Sequence, residues 1–233
     1  MGELDKYPIE SDGVKVDVII SRERGSVSQY RLAIPELTKP TLALIDELKN
    51  QLIIEVKVSA AEILDPKIMN TLKGKFRLKA EEILHYKLPV LNEETKNFLI
   101  GTLLHDMLGF GDMEFLLNDG HLEEIIINSA DEPIRVYHKK HGWMETNITI
   151  EDEEKIQNFS NTIARRVGRQ ITVLNPLLDA HLVTGDRANA VSYPISNKGN
   201  TITIRKFARD PWTVTDLIKN QTTSSEIFIG SSG

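Results

Sequence analysis

Between Val173 and Trp212 polar and apolar residues alternate in two short runs, and each run is fenced by residues that force a turn. Such a pattern fits paired strands and little else. Asn175-Pro176 stops whatever precedes it, because the residue before a proline is pushed out of the α region. Thr184-Gly185-Asp186-Arg187 reads as a tight turn that delivers an arginine to the start of a strand, where Ala188, Ala190 and Ser192 alternate with Asn189, Val191 and Tyr193. Asn197-Lys198-Gly199-Asn200 makes a second turn, and Thr201-Ile202-Thr203-Ile204-Arg205 follows it. With a side-chain period of two, Arg205 shares a face with Thr201 and Thr203 and lies opposite Ile202 and Ile204. Arg187 and Arg205 are therefore expected on paired strands, with Lys206 and Arg209 close behind.

A guanidinium is always charged and presents a planar fork of donors. Two of them on adjacent strands suit a cluster of phosphate oxygens or a carboxylate partner. Exposed strand arginines also occur as solvated or lightly paired surface charge, so spacing alone leaves these alternatives open.

Earlier in the chain, Val14 to Ile20 and Val27 to Ile34 bracket a charged, glycine-containing turn and read as a hairpin ended by Pro35. Thr38 with Pro40 predicts a helix start, with Leu44, Ile45, Leu48 and Leu52 on its apolar face. Asp65-Pro66 predicts a second helix running past Ile68, Met69, Leu72 and Phe76, weakened by Gly74, and Arg77 to Tyr86 a third. Asn92 is expected to cap a further helix that carries Glu93 and Glu94 in its first turn and stops at Gly109. Short strands are expected at Leu122 to Asn128, Ile134 to His138 and Trp143 to Ile148. Thr149 then opens a helix whose apolar face is Ile156, Phe159, Ile163 and Val167, and whose far end places Arg165, Arg166 and Arg169 at the negative terminus as capping cations. Strands and helices mixed without a regular strand-helix-strand rhythm predict an α+β fold. The expected form is an N-terminal hairpin with a small helical subdomain over residues 1–90, then an α+β domain with an antiparallel-rich sheet over 91–219. Residues 220–233 read as an interdomain linker ending in an appended tail, Gly230-Ser231-Ser232-Gly233, so the natural chain is expected to continue.

Composition removes several kinds of chemistry. The chain has no cysteine, which excludes disulfides, thiolate metal sites and a cysteine nucleophile. A formal net charge of -6 argues against a general electrostatic grip on nucleic acid. No apolar run approaches the roughly 18 residues of a membrane span, and the first residues lack the pattern of a secretory signal, so a cytoplasmic location is expected. The six histidines show no helical i, i+4 pair enclosing a glutamate, and no metal site is expected. Asp179 and His181 point the same way along a strand, but no nucleophile can be tied to them. Gly109-Phe110-Gly111 reads as a helix stop rather than a dinucleotide loop. G-x-x-x-x-G-K-[ST] occurs nowhere, so this stretch alone is not expected to hydrolyse ATP.

Pro176-Leu177-Leu178-Asp179-Ala180-His181-Leu182 with Thr184-Gly185-Asp186-Arg187, then Thr201-Ile202-Thr203-Ile204-Arg205-Lys206-Phe207, resembles the N-terminal domain of the type II/type IV secretion ATPase superfamily. Its patterns there are "P-x-x-D-A-x-L-x-x-G-x-R" and "T-I-x-I-R-K-F". Leu108 to Asp119 followed by Glu123-Glu124-Ile125 is similar to its upstream segment, and Val136-Tyr137-His138 with Gly142 to Ile148 resembles the archaeal branch, which includes archaellum motor and archaeal pilus ATPases. The resemblance covers residues 92 to 225 well and the first ninety in outline. It implies an N-terminal lid and assembly domain whose Arg187 and Arg205 reach ATP and Mg held by a separate C-terminal ATPase domain. It further implies a homo-hexamer and a membrane platform protein as partners, with peripheral membrane association through them and no nucleic acid. His181 departs from the family's usual charged residue at that position. The rival reading is a free-standing α+β sensor or adaptor module that binds a small anion or a protein.

Overall fold

The computed structural model describes residues 2–58, 68–182 and 184–207. The chain opens with two long antiparallel strands, β1 (Gly2–Ser11) and β2 (Val14–Arg22), joined at Asp12-Gly13. Both turn residues have positive φ, 47° and 78°, the two-residue turn whose twist suits a hairpin. β2 alternates cleanly, with Val14, Val16, Val18 and Ile20 buried. β1 was not anticipated from the sequence, because it carries charges and a proline and buries little beyond Ile9 and Ser11. Its edge position explains why Pro8, which has no N–H to donate, is tolerated there.

β3 (Ser28–Leu32) completes the expected hairpin with β2, and a helical layer follows. α1 (Lys39–Glu55) is capped by Thr38, whose side chain accepts a hydrogen bond from the Thr41 N–H. α2 (Met69–Lys87) runs without a break through Gly74 and Arg77, so the two helices expected over this stretch are one. A Cβ added at Gly74 would meet nothing, and the glycine does not mark a close approach. The Asp65-Pro66 start lies outside the described residues. α3 (Glu93–Leu108) is capped by Asn92 and stops at Gly109, as its sequence predicts. Leu48 and Leu52, Leu72 and Leu84, and Leu103 and Leu104 from these three helices close one hydrophobic cluster.

α4 (Met113–Asn118) leads into β4 (Leu122–Ile127), β5 (Arg135–His138) and β6 (Gly142–Thr146). α5 (Glu153–Arg166) begins at an Asp152 cap, three residues later than expected. Ile148 and Ile150 are both buried at the two-residue spacing of extended chain, and that burial delays the helix. β7 (Leu177–His181), β8 (Arg187–Val191) and β9 (Thr201–Arg205) finish the described chain.

The nine strands among the described residues form one sheet in the order β1-β2-β3-β6-β5-β4-β9-β8-β7. Every pairing is antiparallel except β3 with β6. The fold is thus α+β with an antiparallel-rich sheet. Its main hydrophobic cluster joins one sheet face, including Ile125, Val136, Met144, Ala188 and Ile204, to Phe110, Phe115, Ile156 and Ile163. The other face of β4 to β9 carries Glu124, Tyr137, Trp143, Arg187, Asn189, Thr203 and Arg205, none of them buried.

The candidate anion site

Local chemistry shapes the turn that delivers Arg187. The Gly185 N–H donates to the Leu182 carbonyl at 2.9 Å, and the Leu182 N–H donates to the Asp186 carbonyl at 2.8 Å. Gly185 has φ of +91°, and a Cβ there would lie 3.1 Å from the Phe207 ring, so conformation and space both favour glycine. Asp186 then knits the two late sequence segments together. Its Oδ1 accepts from the Phe207 N–H at 2.7 Å, while its Oδ2 accepts from the Thr184 hydroxyl at 2.7 Å.

Arg187 and Arg205 face each other directly across the β8–β9 pair. Ala188, Ala190, Ile202 and Ile204 point into the core from the same strands, which obliges both arginines to project from the uncovered face. Like charges placed opposite each other across strands repel, and each arginine has a carboxylate on its outer side. The Asp179 carboxylate takes a two-pronged contact from Arg187, Nε to Oδ1 at 2.9 Å and the terminal nitrogen to Oδ2 at 2.7 Å. Glu124, in register with Arg205 on β4, receives a longer contact from its Nε at 3.5 Å. The charges therefore run negative, positive, positive, negative across four strands, with Asp179 reaching Arg187 diagonally from its place opposite Asn189. The Arg187 guanidinium holds the Asp179 carboxyl below the usual carboxylate range, and Asp179 in turn raises Arg187. About half of each of these two side chains is exposed, so an incoming anion can compete for the fork.

The remaining basic residues go elsewhere. Lys206 donates to the Leu116 and Asp119 carbonyls and so turns away from the arginines. Arg209 lies outside the described residues. Arg169 donates to the Asp179 carbonyl. Arg166 does not cap its own helix, as expected of it, but donates to the Leu108 carbonyl at 3.2 Å, at the end of α3. Its guanidinium also sits 4.8 Å from the centre of the Phe110 ring, and burial lowers its pKa. The sequence named both arginines but missed the carboxylates that hold them. Period-two alternation from Leu177 puts Asp179 on the same face as Arg187, a signal present but unused.

These features define a class: an α+β module whose open sheet face presents a cross-strand arginine pair. No family model matches the chain. It is 34% identical over 218 residues, 92% of its length, to an uncharacterized protein of Methanocaldococcus jannaschii, of which the match spans 28%. A second uncharacterized protein of that organism is 30% identical over 161 residues, which is 69% of this chain and 62% of the relative. A third is 37% identical over 142 residues, 60% of this chain and 25% of the relative. Among solved structures, the VirB11 ATPase from the Brucella suis type IV secretion system, in complex with sulphate, has 21% identity and a TM-score of 0.40, covering 50% of this chain and 34% of its own. The chain thus spans about a quarter of the length of two of these relatives and under two thirds of the other.

Proposed function

We propose that the chain is the N-terminal part of an archaeal-type secretion ATPase, in which Arg187 and Arg205 reach the phosphates of ATP bound, with Mg, by a C-terminal ATPase domain. The observation that carries this reading is the cross-strand register of the two arginines on an uncovered sheet face. It is supported by the order of the sequence segments that resemble that superfamily, and by Asp186, which brings the two segments into contact. In this reading ATP turnover changes how firmly the arginines are held, and a homo-hexamer docked on a membrane platform protein converts that change into archaellum or pilus assembly, or into secretion. The protein then acts in the cytoplasm, at the membrane only through its partners; no helix among the described residues is long and apolar enough to cross a membrane.

One observation favours the rival reading, a free-standing sensor or adaptor. Both arginines already have carboxylate partners, an arrangement complete without a nucleotide. Turnover by the full-length protein separates the two. Arg187→Ala or Arg205→Ala is expected to slow ATP hydrolysis about 30-fold or more, the scale of losing a charge-stabilising donor from an active site. Arg→Lys should recover only part, since an ammonium lacks the planar fork. Turnover within about twofold of wild type in both alanine variants, with normal folding, overturns the nucleotide reading.

A further inference from the structure

A second polar cluster lies where the N-terminal strand meets the β5–β6 turn. Asp119 is fully buried, and its Oδ2 accepts from the Tyr7 and Tyr30 hydroxyls, each at 2.8 Å. Its Oδ1 accepts from the His121 N–H at 2.8 Å and lies 3.0 Å from His121 Nδ1. The His121 ring lies parallel to His138, centroids 5.7 Å apart, and Tyr7 and His141 flank the same ring at 6.0 and 4.9 Å. His138 itself is 2% exposed.

The state of the His138 ring follows from its hydrogen bonds. Its Nδ1 accepts from the Lys140 N–H at 3.0 Å and from the His141 N–H at 3.3 Å. A ring nitrogen that accepts carries no proton, so the neutral ring holds its one proton on Nε2. Nε2 is buried and finds no hydrogen-bond partner among the described residues. The two backbone donors belong to the turn that grips β1, since Asp5 Oδ2 lies 3.0 Å from Lys140 Nζ and 3.1 Å from His141 Nε2. Lys139 completes the corner by donating its N–H to the His121 carbonyl, and Lys206 donates to the Asp119 carbonyl.

We propose that His138 is a proton-operated catch for the N-terminal strand: a proton on its Nδ1 faces two backbone N–H donors, forces the Lys139–Gly142 turn open, and through Asp5 loosens β1. The charged groups around the ring divide. Those of His121 and His141 oppose a further positive charge, while Asp119 and Asp5 favour it. Burial decides the balance and holds His138 at about 4, below its ordinary 6.5. The opened turn exposes the ring and binds a proton near 6.5, so opening becomes about tenfold easier for each pH unit between 6.5 and 4. Asp5, held near 2 by hydrogen bonds from His141 and then Lys140, stays ionised through that window and is not the group that titrates.

Amide hydrogen exchange on the whole chain at pH 7 and pH 4.5, corrected for the intrinsic pH dependence of exchange, tests the catch. Protection of the Lys140 and His141 amides and of β1 near Asp5 is expected to fall on the order of 100-fold at pH 4.5, while the β8–β9 amides change little. His138→Asn keeps an acceptor near the Nδ1 position but cannot titrate, and should abolish the difference. Asp5→Ala should leave the turn's response intact while removing the pH response of β1. A wild-type-like pH response in His138→Asn overturns the proposal. Should that variant not fold, the His138 ring resonance of the wild type decides: loss of β1 protection at a pH where the ring does not titrate also overturns it.

Discussion

At the scale of single residues, Arg187 and Arg166 show how the same side chain takes opposite roles. Arg187 is an exposed guanidinium held by one exposed carboxylate, an arrangement that stabilises folded chains little and yields readily to competition. Asp179→Asn is therefore expected to leave the melting temperature within about two degrees of wild type. It should also tighten binding of inorganic tripolyphosphate several-fold, because a repelling charge is removed and the fork is freed. Titration calorimetry of both proteins at one low salt concentration reads this directly, and unchanged or weaker binding would remove Asp179 as the competitor. Arg166 is the reverse case, partly buried, stacked on Phe110 and donating to the end of α3. Arg166→Ala is expected to cost about 2 kcal/mol from lost packing and an unsatisfied carbonyl, with tripolyphosphate binding unaffected. Denaturant unfolding measures the first and the same calorimetry the second.

At the scale of elements, the junction between hairpin and helical layer is made by a close backbone approach and a half-buried charge. A Cβ on Gly101 of α3 would lie 2.1 Å from a Val14 methyl carbon and 2.9 Å from the Asp12 carbonyl oxygen. Alanine is the better helix former by about 1 kcal/mol, but overpacking costs about 1 to 3 kcal/mol and here involves backbone. Gly101→Ala should thus destabilise, and a rise in unfolding midpoint would contradict this packing. The Asp12 carboxylate lies 2.6 Å from Lys73 Nζ and 3.3 Å from His105 Nε2, while Arg77 holds the Asp12 carbonyl. Burial alone would raise the Asp12 carboxyl, but hydrogen bonds from His105 and Lys73 outweigh it and bring it down to about 2. A depressed folded-state pKa contributes stability that is complete above 3.8 and lost as pH falls through 2. Asp12→Asn should accordingly cost about 2 kcal/mol at pH 7, with the gap to wild type closing toward pH 2; a gap independent of pH would rule out this charge.

The same elements mark what the sequence could reveal. β8, β9 and the caps at Thr38 and Asn92 were legible because each is decided by neighbours a few residues away. Asp12-Gly13 is an equally local hairpin signal, but the strand before it carries charges and a proline and shows little apolar alternation. The Asp12 and Asp119 hubs could not be read, since, apart from His121, their side-chain partners lie tens of residues away, 112 away for Tyr7. No local periodicity encodes contacts at that range.

At the scale of the whole molecule, the continuous sheet decides how the chain folds. β3 hydrogen-bonds β6 in parallel register, Ser28 opposite Met144 and Tyr30 opposite Thr146, so strands from both sides of residue 90 are neighbours in one sheet. The helical cluster likewise takes α1 and α2 from one side of that residue and α3 from the other. Tyr30, fully buried, donates to Asp119, a long-range polar bond inside the main core. A chain cut at residue 90 would leave β6 with a bare inner edge and α3 without the leucines it packs on, exposing large apolar surface at about 25 cal/mol for each Å². Typical domains have only about 5 to 15 kcal/mol of net stability to lose. Residues 91–233 alone are therefore expected to lose the cooperative melt and the dispersed amide spectrum of the intact chain, and adding residues 1–90 in trans should restore part of both. A cooperative melt of 91–233 within about five degrees of the intact protein would show instead that the later strands and helices fold without the hairpin, and that β3–β6 pairing joins two finished units.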